Sequence, residues 1–335
     1  MAHVATKRFN YWGQLAILLA LTGVGLIIGQ AIGIVIFLSK DPTFLTDTKA
    51  AMDKMLVPAN ANILRITQLI AVIFMFILPA FLYAKICHKK ALLHLGIQNN
   101  VYLPQLLLVI AFMFSALPLV GAFRELTMSL PLGEYIQHKI AQSKDEYMKN
   151  VLAIGAMRNF GEYLTTLFIM AILPGFAEEL FFRGALQNLF TRWFKAPIVA
   201  ILLTGFLFSV IHFEYSDFIG RFFLGVVLGW VFYLTGNLWL NMTMHAAFNG
   251  LSVTALYIST RSAGKIDAQN IEDHFNVYLT AGALAAFILF GYFLYTMNKK
   301  RNTAIPGEEI LLPGYINSRN QLVDEIEEIG NENQA

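Results

Sequence analysis

Charge is scarce in this chain. Of its 335 residues, 14% are charged and 57% hydrophobic, against about 25% charged in a soluble globular protein. A net charge of +2 is too small to mark an acidic or nucleic-acid partner, and no nucleic acid is expected. Cysteine occurs once, at Cys87, which excludes an internal disulfide and any metal cluster built on thiolates. No cysteine box stands near the C-terminus, so no prenylation signal is expected on the chain itself. Pro-rich linkers and internal repeats are lacking as well.

Long apolar runs are what is there. A membrane-spanning helix needs about 20 apolar residues, and eight stretches qualify: roughly 11–38, 63–86, 102–122, 164–191, 196–214, 218–235, 237–258 and 275–297. The expected fold is therefore an all-α polytopic membrane protein of about eight transmembrane helices. Lys7 and Arg8 before the first run imitate a secretory signal, but the run is too long for a cleavable segment and has no A-x-A site. With eight spans, the basic clusters Lys7/Arg8, Lys85/Lys89/Lys90, Arg192/Lys195 and Lys299/Lys300/Arg301 fall on one side. Basic residues mark the cytoplasmic side, so both termini are expected there, in a bacterial cytoplasmic membrane. The segment from Arg124 to Arg158 carries five basic residues on the opposite side, together with acids such as Glu134, Asp145 and Glu146. It reads as a solvated loop with one helix, or as an amphipathic helix in the interface that partly covers a cavity. Past Asn302 the chain turns polar and acidic, and NQLVDEIEEI puts Leu322, Ile326 and Ile329 on one helical face. The organisation is then 1–162 for the first helices and the amphipathic segment, 163–258 for a core, 259–301 for the last loop and helix, and 302–335 for a cytoplasmic tail.

Ionisable residues inside spans face a partner or a cavity and mark function by default. Here they avoid the interiors of the first three spans and gather in the later ones, as Glu178, Glu179, Arg183, His212, Arg221 and His245. The stretch FAEELFFRG, residues 176–184, holds three of them. Residues four apart share a helical face, so Glu179 and Arg183 can pair and lower the cost of burying both. Glu178 points elsewhere and lacks that partner, which suits a general base. The plainer reading makes both acids salt-bridged glue between helices. Phe208 and His212 are also four apart, as are His245 and Asn249. A lone histidine in a span is usually an interhelical hydrogen-bonding contact. An imidazole and a carboxamide on one face can instead hold the oxygen of a tetrahedral intermediate. Two histidines and a glutamate (Glu178, His212 and His245) also make a catalytic zinc set. However, the HExxH spacing is absent and the three come from separate helices, so no cofactor is expected, with zinc as the alternative.

In order along the chain stand EExxxR (Glu178, Glu179, Arg183), FxxxH (Phe208, His212) and HxxxN (His245, Asn249), with FRG and the Gly-rich FFLGVVLGW beside them. This pattern, over roughly 163–252, resembles the CPBP family of intramembrane endopeptidases, whose relatives include the CAAX prenyl proteases. The resemblance implies a helical bundle enclosing an intramembrane catalytic cavity, and hydrolysis of a peptide bond by a glutamate-activated water. It implies Glu178 as the base, His212 as its aid in holding water, and His245 with Asn249 as the oxyanion site. Glu179, Arg183 and Phe208 become supporting residues. The expected partner is a peptide or membrane-protein substrate, lipidated or not, within the lipid bilayer. A proton- or ion-coupled transporter could use the same polar residues, but inverted repeats and paired broken helices are not evident. A non-catalytic bacteriocin-immunity or regulatory protein would be expected to lose motif residues, and all are present. One point of geometry is awkward. At about 1.5 Å per residue, His212 falls well past the midplane of a fifth span that starts near Lys195, whereas Glu178 and His245 lie nearer the middle.

Overall fold

The computed structural model describes residues 9–88, 91–98, 101–263 and 277–303. The basic pairs Lys7/Arg8 and Lys89/Lys90, and the tail face of Leu322, Ile326 and Ile329, lie outside the described residues. Among the described residues every regular element is a helix. Asn10 accepts from the Gly13 N–H and starts α1 (Tyr11–Leu38). The short α2 (Thr48–Met55) follows, capped by Asp47. Next, α3 (Ala61–Val72) runs through a π-helical turn, Ile73–Ile77, into α4 (Leu78–Cys87). After the one-turn α5 (Ala91–His94) come α6 (Leu103–Ser129) and α7 (Glu134–Ile154). A second long run joins α8 (Phe160–Leu167), a π turn at Phe168–Ile172, α9 (Leu173–Glu179), a π segment at Leu180–Gln187 and α10 (Asn188–Phe194). The last four are α11 (Pro197–Val210), α12 (Phe218–Thr235), α13 (Leu238–Ala263) and α14 (Val277–Thr303).

Six of these runs are long and apolar enough to cross a membrane: Tyr11–Leu38, Pro58–Cys87, Leu103–Ser129, Phe160–Phe194, Tyr215–Thr235 and Val277–Lys299. The shorter apolar α11 and the 26-residue α13 pack among them, so the polytopic all-α fold holds. The boundaries shift in a way that matters. The fourth run extends from 160 to 194, and α11 stops at Val210. His212 therefore sits in the turn after a short helix, not within a long one, and its Nε2 comes within 3.9 Å of Glu178. The amphipathic segment contains one helix, α7, and its end is tied to α3. Arg65 donates to the carbonyls of Ile154 and Ala156 at 3.1 and 2.6 Å.

Two of the three π segments among the described residues have an identifiable cause. A proline lacks an N–H and its ring collides with the carbonyl four residues back. Pro79 and Pro174 each follow a π turn that contains that residue, Met75 and Met170 respectively. The wider turn absorbs the collision, so Pro174 is passed without ending the run.

Two close backbone approaches bring the core helices together. A Cβ on Gly175 of α9 would stand 2.7 Å from the backbone nitrogen of Ala246 on α13. One on Gly225 of α12 would stand 2.8 Å from the Cα of Gly205 on α11. Only a missing side chain permits either contact. Gly175→Ala is expected to push α9 from α13 and to destabilise the fold by roughly 1–3 kcal/mol, the usual range for overpacking. Thermal unfolding in detergent measures this, and an unchanged midpoint would show that the two helices part freely.

Candidate active site

The π segment that begins at Leu180 carries Arg183, and Glu179 ends the helix before it. Single π segments are rare and recur at functional sites. The expected pair forms: Arg183 Nη1 lies 2.9 Å from Glu179 Oε1 as an ion pair, with both side chains buried. Arg183 also donates to the Gly225 carbonyl at 3.0 Å, which the glycine crossing of α11 and α12 brings within reach. His245 Nδ1 lies 2.9 Å from the same Glu179 oxygen, and Asn241 Nδ2 donates to the other at 3.2 Å. Glu179 is thus fully buried and held by three side chains from two helices.

Glu178 is placed differently. It makes no hydrogen bond among the described residues, and its Oε2 faces two imidazoles. His245 Nε2 is 3.8 Å away and His212 Nε2 is 3.9 Å away. Both separations exceed a hydrogen bond. The ring orientations follow from the other nitrogens. His212 Nδ1 is 2.6 Å from the Phe208 carbonyl, which can only accept, so the proton sits on Nδ1. His245 Nδ1 faces the Glu179 carboxylate and is likewise the protonated nitrogen. Two Nε2 atoms are therefore aimed at one carboxylate oxygen.

Phe208 shows why the FxxxH spacing matters. Its buried ring lies 4.8 Å from the His212 ring, 5.8 Å from that of His245 and 5.0 Å from the Arg183 guanidinium. It wedges the groups apart and shields the Glu179–Arg183 pair. Asn249, one turn beyond His245 on α13, is half-buried and makes no hydrogen bond among the described residues. The structure therefore brings Glu178, Glu179, Arg183, Phe208, His212 and His245 together, and leaves Asn249 one turn along α13 with no hydrogen bond among the described residues. The His212 side chain is 26% exposed and that of His245 is 3% exposed, so the site is open on the His212 side. Behind α13 runs a groove of about 540 Å³ lined by Tyr163, Phe176, Trp239, Ala246, Gly250 and Thr254. No group of three or more His, Cys, Asp or Glu among the described residues is arranged to hold a metal ion.

The family described as "Type II CAAX prenyl endopeptidase Rce1-like" matches residues 160–251, a range that contains Glu178, Glu179, Arg183, Phe208, His212, His245 and Asn249. Residues 160–251 are similar to the Rce1-like family. The Rce1-like segment also nearly coincides with the stretch that carries the three sequence motifs. A curated relative, the "Uncharacterized protein YyaK" of Bacillus subtilis (strain 168), is 29% identical over 136 residues. That alignment covers 38% of this chain and 43% of the relative, so the chain spans less than half of the relative's length. No solved structure matches significantly.

Sequence reasoning missed the groups that surround the Rce1-like site. Glu214 and Asp217, both buried, lie in the turn that follows His212. Arg124 sits in the last turns of α6, past the end drawn for the third span. The cluster FEYSDFIGR could have flagged the two acids with Arg221, but Arg124 had no local signal.

Proposed function

We propose that this protein is an intramembrane endopeptidase that hydrolyses a peptide bond with a water activated by Glu178. The observation that carries the reading is the division of labour between adjacent carboxylates. Glu179 is saturated with partners, whereas Glu178 has no hydrogen bond among the described residues and faces two imidazole Nε2 atoms. A buried acid that contributes so little to structure is suited to chemistry.

Glu178 takes a proton from water as the water oxygen attacks the carbonyl carbon. His212 orients that water through Nε2. The tetrahedral oxyanion is held by His245 and by the Asn249 amide. To donate from Nε2, His245 must carry protons on both nitrogens, and Glu179 accepts from Nδ1 at 2.9 Å. Glu178 then returns its proton to the leaving amine as the C–N bond breaks. No step is routed through a metal. The substrate is a peptide or membrane protein, and the enzyme sits in a cell membrane with both termini in the cytoplasm.

The test is cleavage of a quenched fluorescent peptide library by the purified protein in liposomes. Asn249→Ala is expected to lower kcat by roughly 10²–10³, as for the loss of one oxyanion donor. Full activity in that variant would remove Asn249 from the mechanism. An arm with a chelator, followed by return of zinc, separates a bare water from a metal-bound one. Flux of an ion without any cleavage would favour a transporter.

A further inference from the structure

His212 lies in the turn just past α11, where its N–H and that of Phe213 reach back to the Ser209 and Val210 carbonyls at 3.3 and 3.2 Å. After α11 ends at Val210, Phe213 takes a φ of +52°, a left-handed conformation that side chains with a Cβ avoid. Such a residue persists only where its surroundings over-determine it. Here the surroundings are four charges and three neighbouring helices. Glu214, 4% exposed, accepts from the Ser216 N–H at 2.9 Å and from the Ser216 hydroxyl, while its second oxygen lies 3.1 Å from Arg221 Nη1. Arg221 also reaches the Glu214 carbonyl at 3.5 Å and Asp217 at 3.8 Å. Arg124 of α6 braces Asp217 at 3.4 Å. From α7, the Tyr147 ring covers the Arg221 guanidinium at 5.0 Å, and Ser143 Oγ accepts the Tyr215 N–H at 3.2 Å. Ser209 closes the base by donating to the Phe218 carbonyl at 2.7 Å.

We propose that Glu214 and Arg221 form a clamp that aims His212 at Glu178, and that they are positioning residues of the hydrolysis proposed above, on which this inference rests. Among the described residues the one hydrogen bond of the His212 ring is to the Phe208 carbonyl of α11. Where that ring points in the bundle depends on the turn, and the turn depends on the clamp. Two acids and two arginines balance in charge, so the cluster can be buried without a net charge, and no group in it faces the reacting atoms. Its effect on the reaction passes through His212.

The experiment is a double-mutant cycle, read by peptide cleavage and by thermal unfolding. Glu214→Gln and Arg221→Gln are each expected to lower kcat roughly 10- to 100-fold with little change in KM, the loss expected from a misplacement of about 1 Å. The charge-reversed pair Glu214→Arg with Arg221→Glu should recover activity over either single reversal. Combined with His212→Gln, the clamp variants should cause no further loss, because groups acting as one unit are not additive. The limb of the kcat/KM pH profile that His212→Gln removes should shift in Arg221→Gln. Clamp variants that fold and cleave like the parent overturn the proposal, as does an equal loss with and without His212, which would mark a purely structural role. A fully active His212→Gln protein overturns the clamp and the assigned role of His212 together, while Glu178→Gln then tests the peptidase reading alone.

Discussion

Glu178→Gln abolishes peptide cleavage and leaves the protein folded. Gln keeps the shape of the side chain and cannot take a proton from water, so the expected loss is roughly 10²–10⁴, the contribution of a general base, or more where no other group substitutes. Stability should be unchanged or slightly raised. Glu178 makes no hydrogen bond among the described residues, and its nearest partners are imidazole nitrogens at 3.8 and 3.9 Å. Removing an acid buried without a firm partner relieves the fold, which is the usual trade between stability and activity at a functional site. Cleavage rate and unfolding temperature are therefore measured on one preparation. A variant that melts like the parent and cleaves at the parent rate would show that Glu178 is not the base. A variant that loses activity only because it unfolds would return Glu178 to a structural role.

Glu179→Ala gives the opposite pattern: a large loss of stability, with activity lost as well. The change strands Arg183, whose side chain is 1% exposed and which pairs with Glu179 at 2.9 Å. Leaving one member of a buried pair typically costs about 3–5 kcal/mol. His245 Nδ1 and Asn241 lose their acceptor at the same time. Glu179→Met together with Arg183→Met removes both charges and should restore much of the stability, since a buried pair replaced by apolar groups of similar size is often neutral. Activity should stay low in that double variant, because His245 no longer has the carboxylate that orients it. Thermal unfolding in detergent separates the two effects. If Glu179→Ala melted like the parent, the pair would not be part of the fold's support, and if the double variant cleaved normally, Glu179 would have no role in aiming His245.

Much of this was legible from residue type and spacing. The Glu179–Arg183 pair follows from a four-residue step on a helix, and it forms as expected even though a π segment begins between the two residues. Scarcity of charge pointed to the membrane, and clustering of the remaining charge pointed to the fourth through seventh runs. What spacing could not show was the hold on His212. Arg124 lies 93 positions before Asp217, and Ser143 lies 72 before Tyr215, so no local pattern links them. The same is true at the other end of the bundle, where Gln14 accepts from Tyr83 at 3.0 Å and from Arg192 at 3.2 Å. None of these polar residues stood out, because each looks ordinary beside its own neighbours in the chain.

The sequence by itself determined an all-α membrane protein and singled out the side chains worth testing, because hydropathy over about 20 residues and the helical repeat are local properties. Only the tertiary structure decided that His245 and Asn241 also hold Glu179 while Glu178 is left facing two imidazole nitrogens. That choice depends on where α13 crosses α9, and the crossing rests on the contact of Gly175 with the backbone of Ala246. Close approach between distant segments is a property of packing, and packing is settled only when the whole bundle closes.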